Sequence, residues 1–241
     1  MKDQLTTSQL LARRAAQVQR GSARAAVLGV NDGLVSTLCI VVGVAAAGGD
    51  SRAVLVAGFA GLLAGAISMA AGEWISVKSQ VELFEGVLND LKIAVKEDPR
   101  MLSNTLAHTF SKYGMSHTSA HEAANDIAKH GKGFMKVYSA QVIGLNPDEL
   151  GSPWHAAVSS FALFVAGALV PLLPWMLNGS GFLGILTAII LTSVGGLFVG
   201  GYTARSSGKN VVYGAVRQFL IIIFAAAVTY GIGHLFGVVT A

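Results

Sequence analysis

Five long apolar stretches constrain this chain more than any other feature. They are Ala25–Ala47, Ala53–Ala71, Ala156–Leu177, Phe182–Ala204 and Val211–Val239. A helix needs about 20 such residues to cross a hydrocarbon core about 30 Å thick, and it satisfies its own backbone hydrogen bonds while doing so. Only 12% of the residues are charged, whereas soluble domains carry about 25%. The sequence therefore predicts an all-α membrane protein with five transmembrane helices.

Basic residues are concentrated on one side of this predicted arrangement. Five Lys or Arg residues and a single acid, Asp3, precede the first span, and Arg205 and Lys209 lie between the fourth and fifth spans. The connections on the other side carry one base, Arg52. The positive-inside rule then predicts a cytosolic N-terminus in an integral, multi-pass protein. The basic composition is explained by this topology, so no nucleic-acid partner is expected.

The polar stretch between the second and third spans is long enough to form a small helical domain. Apolar residues keep helical spacing up to Val95, Asp98-Pro99 interrupts the pattern, and Met101–Tyr113 and Ser119–His130 have the pattern of two further helices. We therefore expect a small helical cytosolic domain inserted between helices 2 and 3. The three predicted regions are residues 1–78 with the first two spans, 79–153 with the cytosolic domain, and 154–241 with the last three spans.

Two acids and a methionine stand within or beside the first two spans. Asp32 is the only charged residue of the first apolar run. Met69 and Glu73 are spaced i and i+4 and share one face of a helix. If the two spans form a hairpin that turns near Asp50, the position level with Asp32 is close to 68, beside Met69. A carboxylate at this depth costs about 2.5 to 3.5 kcal/mol, so it should face water or the bundle interior.

These side chains suggest a path for a divalent transition metal. Carboxylate oxygens suit hard ions, and a thioether shifts the preference towards ions such as Fe²⁺. A few weak ligands allow release, and a carboxylate in the membrane can exchange a proton against the metal. Other roles stay open: Met69 can simply pack, Asp32 can pair with Arg217 or be capped by Asn31, and Glu73 can be solvated.

Two further patterns are visible in the sequence. Three Gly-x-x-x-Gly spacings, Gly29–Gly33, Gly61–Gly65 and Gly196–Gly200, favour a tightly packed bundle and a dimer. In the polar stretch, His117 and His121 stand at i and i+4. Because a metal site needs more than two ligands, the interpretation of these histidines as a solvated helix face is preferred to a metal site.

The sequence resembles the vacuolar iron transporter family, including its bacterial and nodulin-like members. The resemblance is carried by Asn31–Ser36 in the first span and Gly65–Gln80 in and after the second. The segment Gly151–Trp154 before the third span and the last span, Gly214–Gly231, also match. The resemblance covers all five spans and is most specific in the first two.

The resemblance implies a homodimer of five-helix subunits that exports Fe²⁺, often also Mn²⁺, from the cytosol in exchange for protons. It implies that Asp32 and Met69 line the pathway at the dimer interface and that Glu73 lies on the same route. The expected partners are membrane lipid, a second copy and the transported divalent ion, with no permanently bound cofactor. Because no nucleophile and base pair stands within the spans, no enzyme activity is expected. We expect a bacterial inner membrane rather than a vacuolar one.

One departure from the family pattern concerns the cytosolic domain, which in the family is rich in glutamate and gathers metal ions. Here Glu82 and Glu85 remain among few carboxylates, together with Met135. We take these three residues as candidate cytosolic metal ligands. The loss of the other acids motivates an alternative function: a non-transporting membrane scaffold or regulator derived from such a transporter.

Overall fold

A computed structural model describes residues 22–145 and 151–240, and every regular element among them is a helix. The helices are α1 Ser22–Ala46, α2 Ser51–Glu97, α3 Pro99–Lys112, α4 His117–Ala128, α5 Gly131–Tyr138, a π-helical turn Ser139–Ile143, α6 Pro153–Met176, α7 Gly181–Ser206 and α8 Val211–Thr240. The polar segment before the first span lies almost entirely outside the described residues.

Five of these helices, α1, α2, α6, α7 and α8, are long and apolar enough to cross a membrane. Their bounds agree with the five predicted spans to within a few residues, except that α2 is longer. The helix α6 continues through Pro171 and Pro174, and both prolines are buried. The five-span, all-helical prediction is therefore confirmed.

The helix α2 runs unbroken through 47 residues, and the sequence has no proline between Ser51 and Glu97 that would interrupt it. It ends there because Pro99 lacks an amide hydrogen and disfavours the helical conformation of Asp98. The carboxylate of Asp98 then caps α3 by accepting a hydrogen bond of 2.9 Å from the backbone amide of Met101. The predicted extension of the second span and the break at Asp98-Pro99 are both confirmed.

The described residues within Ser76–Ser152 form one compact helical unit. Its core is apolar and draws on α2, α3, α4 and α5, with Leu91, Leu102, Leu106, Ala120, Phe134 and Tyr138 all buried. The helix α5 was not predicted, because it is only 8 residues long and contains two glycines. The domain limits of 79–153 and the cytosolic side of this unit stay predictions.

The second compact unit combines the described residues within Gly21–Ile75 and Pro153–Ala241 and holds the five membrane helices. One continuous core joins all five helices, to which each contributes at least one buried aliphatic residue: Leu38, Leu62, Leu172, Ile185 and Ile222. Outside this core most large apolar side chains are exposed. Such a distribution suits a bundle whose outer surface meets lipid.

Glycines allow the helices of this unit to approach closely. A Cβ atom on Gly33 would overlap the carbonyl oxygen of Phe164 and lie 2.9 Å from the backbone nitrogen of Ala168, both on α6. A Cβ atom on Gly200 would overlap the carbonyl oxygen of Gly214 on α8. The predicted close packing at these glycine spacings is confirmed within the subunit.

Replacing Gly167 of α6 tests this packing. Its added Cβ would overlap the carbonyl oxygen of Val30 and lie 3.1 Å from the backbone nitrogen of Leu34. Because backbone atoms cannot rotate away, Gly167→Ala should destabilise the folded protein by about 1–3 kcal/mol. Thermal unfolding in detergent micelles measures the change.

Gly72→Ala is the matched control, because its Cβ would meet nothing within 4 Å. Its better helix propensity should leave stability unchanged or raise it by up to about 1 kcal/mol. Equal losses in both variants would contradict the packing described for α1 and α6.

Candidate functional site

The residues around Asp32 fix the direction in which its carboxylate points. Asn31 accepts a hydrogen bond from the side-chain amide of Gln218 on α8. Gly33 meets the backbone of α6, and Leu34 is 1% exposed and packs on α7. Three neighbours of Asp32 are thus engaged with three different helices, while Asp32 itself is exposed. The carboxylate therefore lies on the outer face of the single subunit.

The first two membrane helices form the antiparallel hairpin expected from the sequence. Asp50 begins the second helix by accepting a hydrogen bond of 2.7 Å from the amide of Ala53. Gly58 packs against Val41, and Gly61 packs against Ile40 further along. These contacts pair the two helices with the predicted alignment.

Met69 lies at the level where the hairpin predicts it. Its sulfur would be 3.5 Å from a Cβ atom placed on Gly29, which precedes Asp32 by three residues on α1. Met69 is half-buried and packs against the apolar core of the membrane helices. The structure thus places Met69 and Asp32 at similar levels on adjacent helices, with Met69 against the core and Asp32 on the outer face. Their role as metal ligands stays a prediction.

Glu73 follows Met69 by four residues on the continuous helix α2 and is half-buried. The adjacent Trp74 packs edge-to-face on Trp154 of α6, with ring centroids 5.9 Å apart. Trp154 is 70% exposed, as befits a tryptophan at a membrane surface. This aromatic contact ties the start of α6 to α2 beside Glu73.

The structure does not support the alternative roles considered for Asp32. The ion pairs among the described residues are Lys78–Glu82 and Lys129–Asp126, so Asp32 does not pair with Arg217. The Asn31 side chain bonds to Gln218 on α8, and Arg217 is exposed. The Asp32 carboxylate has no ionic partner within the described part of the subunit.

The three candidate ligands of the Ser76–Ser152 unit differ in their exposure and in their contacts. Glu82 is exposed and forms a surface ion pair of 3.2 Å with Lys78, and Glu85 is exposed. Met135 is half-buried and packs against the core of that unit. Among the described residues, no three His, Cys, Asp or Glu side chains are grouped so that they could hold a metal ion. A metal-binding role for these residues stays a prediction.

His117 and His121 lie together on α4, with ring centroids 4.5 Å apart. The Ser116 hydroxyl accepts a hydrogen bond from the amide of Ser119 and so caps the first turn of this helix. Within residues 22–145 and 151–240, no third such ligand joins them. His117 is exposed and His121 is half-buried, and the role of this helix face as a solvated surface stays a prediction.

Sequence reasoning missed Gln218, an uncharged polar residue in a span that is otherwise largely apolar. Its exposure is 7%, and its side-chain amide donates a hydrogen bond to Asn31, which links α8 to α1. An amide placed in a membrane helix seeks a partner on a neighbouring helix. This property is the signal that could have identified Gln218.

Stability measurements test the orientation of Asp32. Because Asp32 is exposed and lacks an ionic partner in the described subunit, Asp32→Ala should not lower the free energy of unfolding, and removing a charge at this depth can only raise it. Leu34→Ala, two residues away, removes a buried side chain and should cost about 2–5 kcal/mol. Thermal unfolding in detergent compares the two, and a large loss in Asp32→Ala would contradict the outward orientation.

Comparison with known proteins identifies the family. Residues 23–234 match the VIT family. Vacuolar iron transporter homolog 1 of Oryza sativa subsp. japonica is 34% identical, over 89% of this chain and 73% of the relative. Vacuolar iron transporter homolog 2 of Arabidopsis thaliana is 32% identical over 89% and 84%. Vacuolar iron transporter of Acanthamoeba castellanii is 30% identical over 89% and 78%. With its membrane helices and nearly its whole length matched, the chain belongs to the VIT family of vacuolar iron transporters.

Proposed function

We propose that the protein exports Fe²⁺ from the cytosol in exchange for protons, with Mn²⁺ as a second substrate. Membership in the VIT family and relatives named vacuolar iron transporters support metal transport. The observation that carries the proposal is the placement of Asp32. In its support, a membrane helix carries this carboxylate on an open face, and Met69 stands at a similar level on the adjacent helix.

The chemistry of this ligand pair fits a transition metal in transit. A carboxylate supplies charge and a hard oxygen, and the thioether adds a soft ligand that Mg²⁺ and Ca²⁺ do not favour. Two protein ligands do not close a coordination shell, so water can complete it. An ion held in this way can leave again, as transport requires.

The same carboxylate can bind a proton in place of the metal, and this allows the metal to be exchanged for protons. A metal ion binds the charged form of Asp32, and protonation of that oxygen removes the ligand. Access to the cytosol lets the metal displace the proton, and access to the opposite side lets a proton displace the metal. Each cycle then moves metal outwards and protons inwards without any permanently bound cofactor.

A homodimer would give the Asp32 face a suitable environment. A charged side chain facing lipid at this depth costs about 2.5–3.5 kcal/mol. A second copy related by twofold symmetry would place another Asp32 and Met69 opposite the first pair. We propose that the pathway runs along this shared face, with Glu73 on the same route.

The membrane and the orientation also belong to this proposal. The distribution of Lys and Arg favours a cytosolic N-terminus. The plant and amoeba relatives are named for the vacuole. They lend no support to the bacterial inner membrane expected from the sequence, which stays a prediction.

Removing the carboxylate tests the transport proposal. Asp32→Ala in proteoliposomes should abolish Fe²⁺ flux and metal-driven proton flux while leaving assembly intact, because the pathway loses its only charged ligand at this level. Fluorescent dyes for metal and for pH measure both fluxes.

Asp50→Asn is the matched control, since it removes one carboxylate but keeps a good helix-capping side chain. Its fluxes should equal those of the unmodified protein. Unchanged flux in Asp32→Ala would remove Asp32 from the mechanism. Absence of metal flux in the unmodified protein would favour the scaffold or regulator.

Replacing the sulfur tests metal preference. Met69→Leu keeps the apolar bulk but loses the thioether, so Fe²⁺ flux should fall by about tenfold, equivalent to about 1.4 kcal/mol. Mn²⁺, which prefers oxygen ligands, should lose less. Met176→Leu, at an exposed methionine near the end of α6, is the control. Equal losses for both ions would show that Met69 acts through packing.

A further inference from the structure

We propose that Gln218 is a positioning residue for the metal pathway. By holding the Asn31 side chain, it would fix the rotation of α1 that keeps the Asp32 carboxylate on the outer face of the subunit. This inference rests on the proposed transport function, but its geometry can be tested separately.

The Gln218 side chain is held in a groove on α7 that glycines create. A Cβ atom on Gly196 would lie 3.3 Å from its Cγ atom, and one on Gly200 would lie 2.8 Å from its Cβ atom. Gln218 is 7% exposed. The stem of the side chain is thus fixed by α7, and its amide nitrogen donates to the Oδ1 atom of Asn31 on α1.

This hydrogen bond acts on the residue next to Asp32. Successive residues of a helix are about 100° apart around its axis, at 3.6 residues per turn. Fixing the direction of Asn31 towards α8 therefore also fixes the direction of Asp32. Gly33 and Leu34 contribute contacts without a directional bond. The amide pair is the only directional polar contact among these neighbours.

Losing the bond would weaken metal binding without removing a metal ligand. Without this contact the direction of Asn31, and with it that of Asp32, is less tightly fixed, so the carboxylate is held less firmly on the face where the metal would bind. Gln218→Leu and Asn31→Leu remove the same bond. The expected effect is therefore a higher KM for the metal, with the maximal rate per folded molecule retained.

The transport arm of the test uses the full chain in proteoliposomes, with Fe²⁺ flux measured over a concentration series. Gln218→Leu and Asn31→Leu should each raise KM by about tenfold with kcat changed less than about twofold. If the two amides act as one unit, the double variant should also show about a tenfold effect. A double variant that swaps the two amides, Asn31→Gln with Gln218→Asn, should restore much of the affinity for Fe²⁺.

A purely structural role would give different results. Partial misfolding lowers the amount of active protein, and so the maximal flux, but leaves KM unchanged. Thr187→Val, a half-buried polar residue of α7 away from Gln218, should leave KM unchanged. An unchanged KM in Gln218→Leu would overturn the inference. A double variant whose KM is raised about a hundredfold, the product of the two single effects, would overturn it as well.

A labelling experiment keeps the inference testable without transport. In a Cys39→Ser background, Asp32→Cys provides a thiol on the outer face of α1, and a water-soluble maleimide reports its accessibility in liposomes. Adding Gln218→Leu should lower the labelling rate by about threefold or more, since the rotation of α1 at Asn31 and Asp32 is then less tightly fixed. Unchanged labelling would overturn the positioning role. A changed rate in a protein that moves no metal would refute only the transport proposal.

Discussion

The close approach of α1 and α6 is the contact on which the rest of the membrane unit depends. Gly33 faces the backbone of α6, and Gly167 faces the backbone of α1 at Val30 and Leu34. Each glycine leaves room for the other helix, so the two backbones touch without intervening side chains. Because this contact fixes one face of α1, Leu34 is directed into the bundle and Asp32 away from it. The two glycines therefore hold the helix whose rotation, together with the amide contact of Asn31, gives the candidate metal ligand its outward direction.

The polar groups of the membrane unit differ in whether they find a hydrogen-bond partner in their apolar surroundings. Several buried hydroxyl groups, those of Thr37, Ser160, Thr192 and Ser193, have no hydrogen-bond partner among the described residues. The side-chain amide of Gln218, in contrast, donates a hydrogen bond to the Asn31 side chain between two helices. A carboxylate costs more than either group in such a setting. The outward position of Asp32 is compatible with transport because water or a second copy can meet it there.

Much of the fold was predictable because length and hydropathy determine membrane spans. The five helices, the long α2 and the hairpin alignment near Met69 all follow from sequence spacing. The short helix α5 could not be predicted, because glycines weaken its local signal and only packing stabilises it. The Asn31–Gln218 bond was also beyond sequence reasoning, since it depends on how two helices rotate against each other. Spacing gives the depth of Asp32, but only this rotation gives its direction.

The mutual glycine contact has a consequence for how this sequence can change over time. Lipid-facing positions accept many apolar residues, because acyl chains adapt to any side-chain shape. At Gly33 and Gly167 the Cβ atom of any new side chain would meet backbone atoms of the opposite helix. No exchange at one position can be compensated at the other, because the obstructing atoms belong to the main chain. The outer surface should therefore tolerate many substitutions, and these two glycine positions should tolerate almost none.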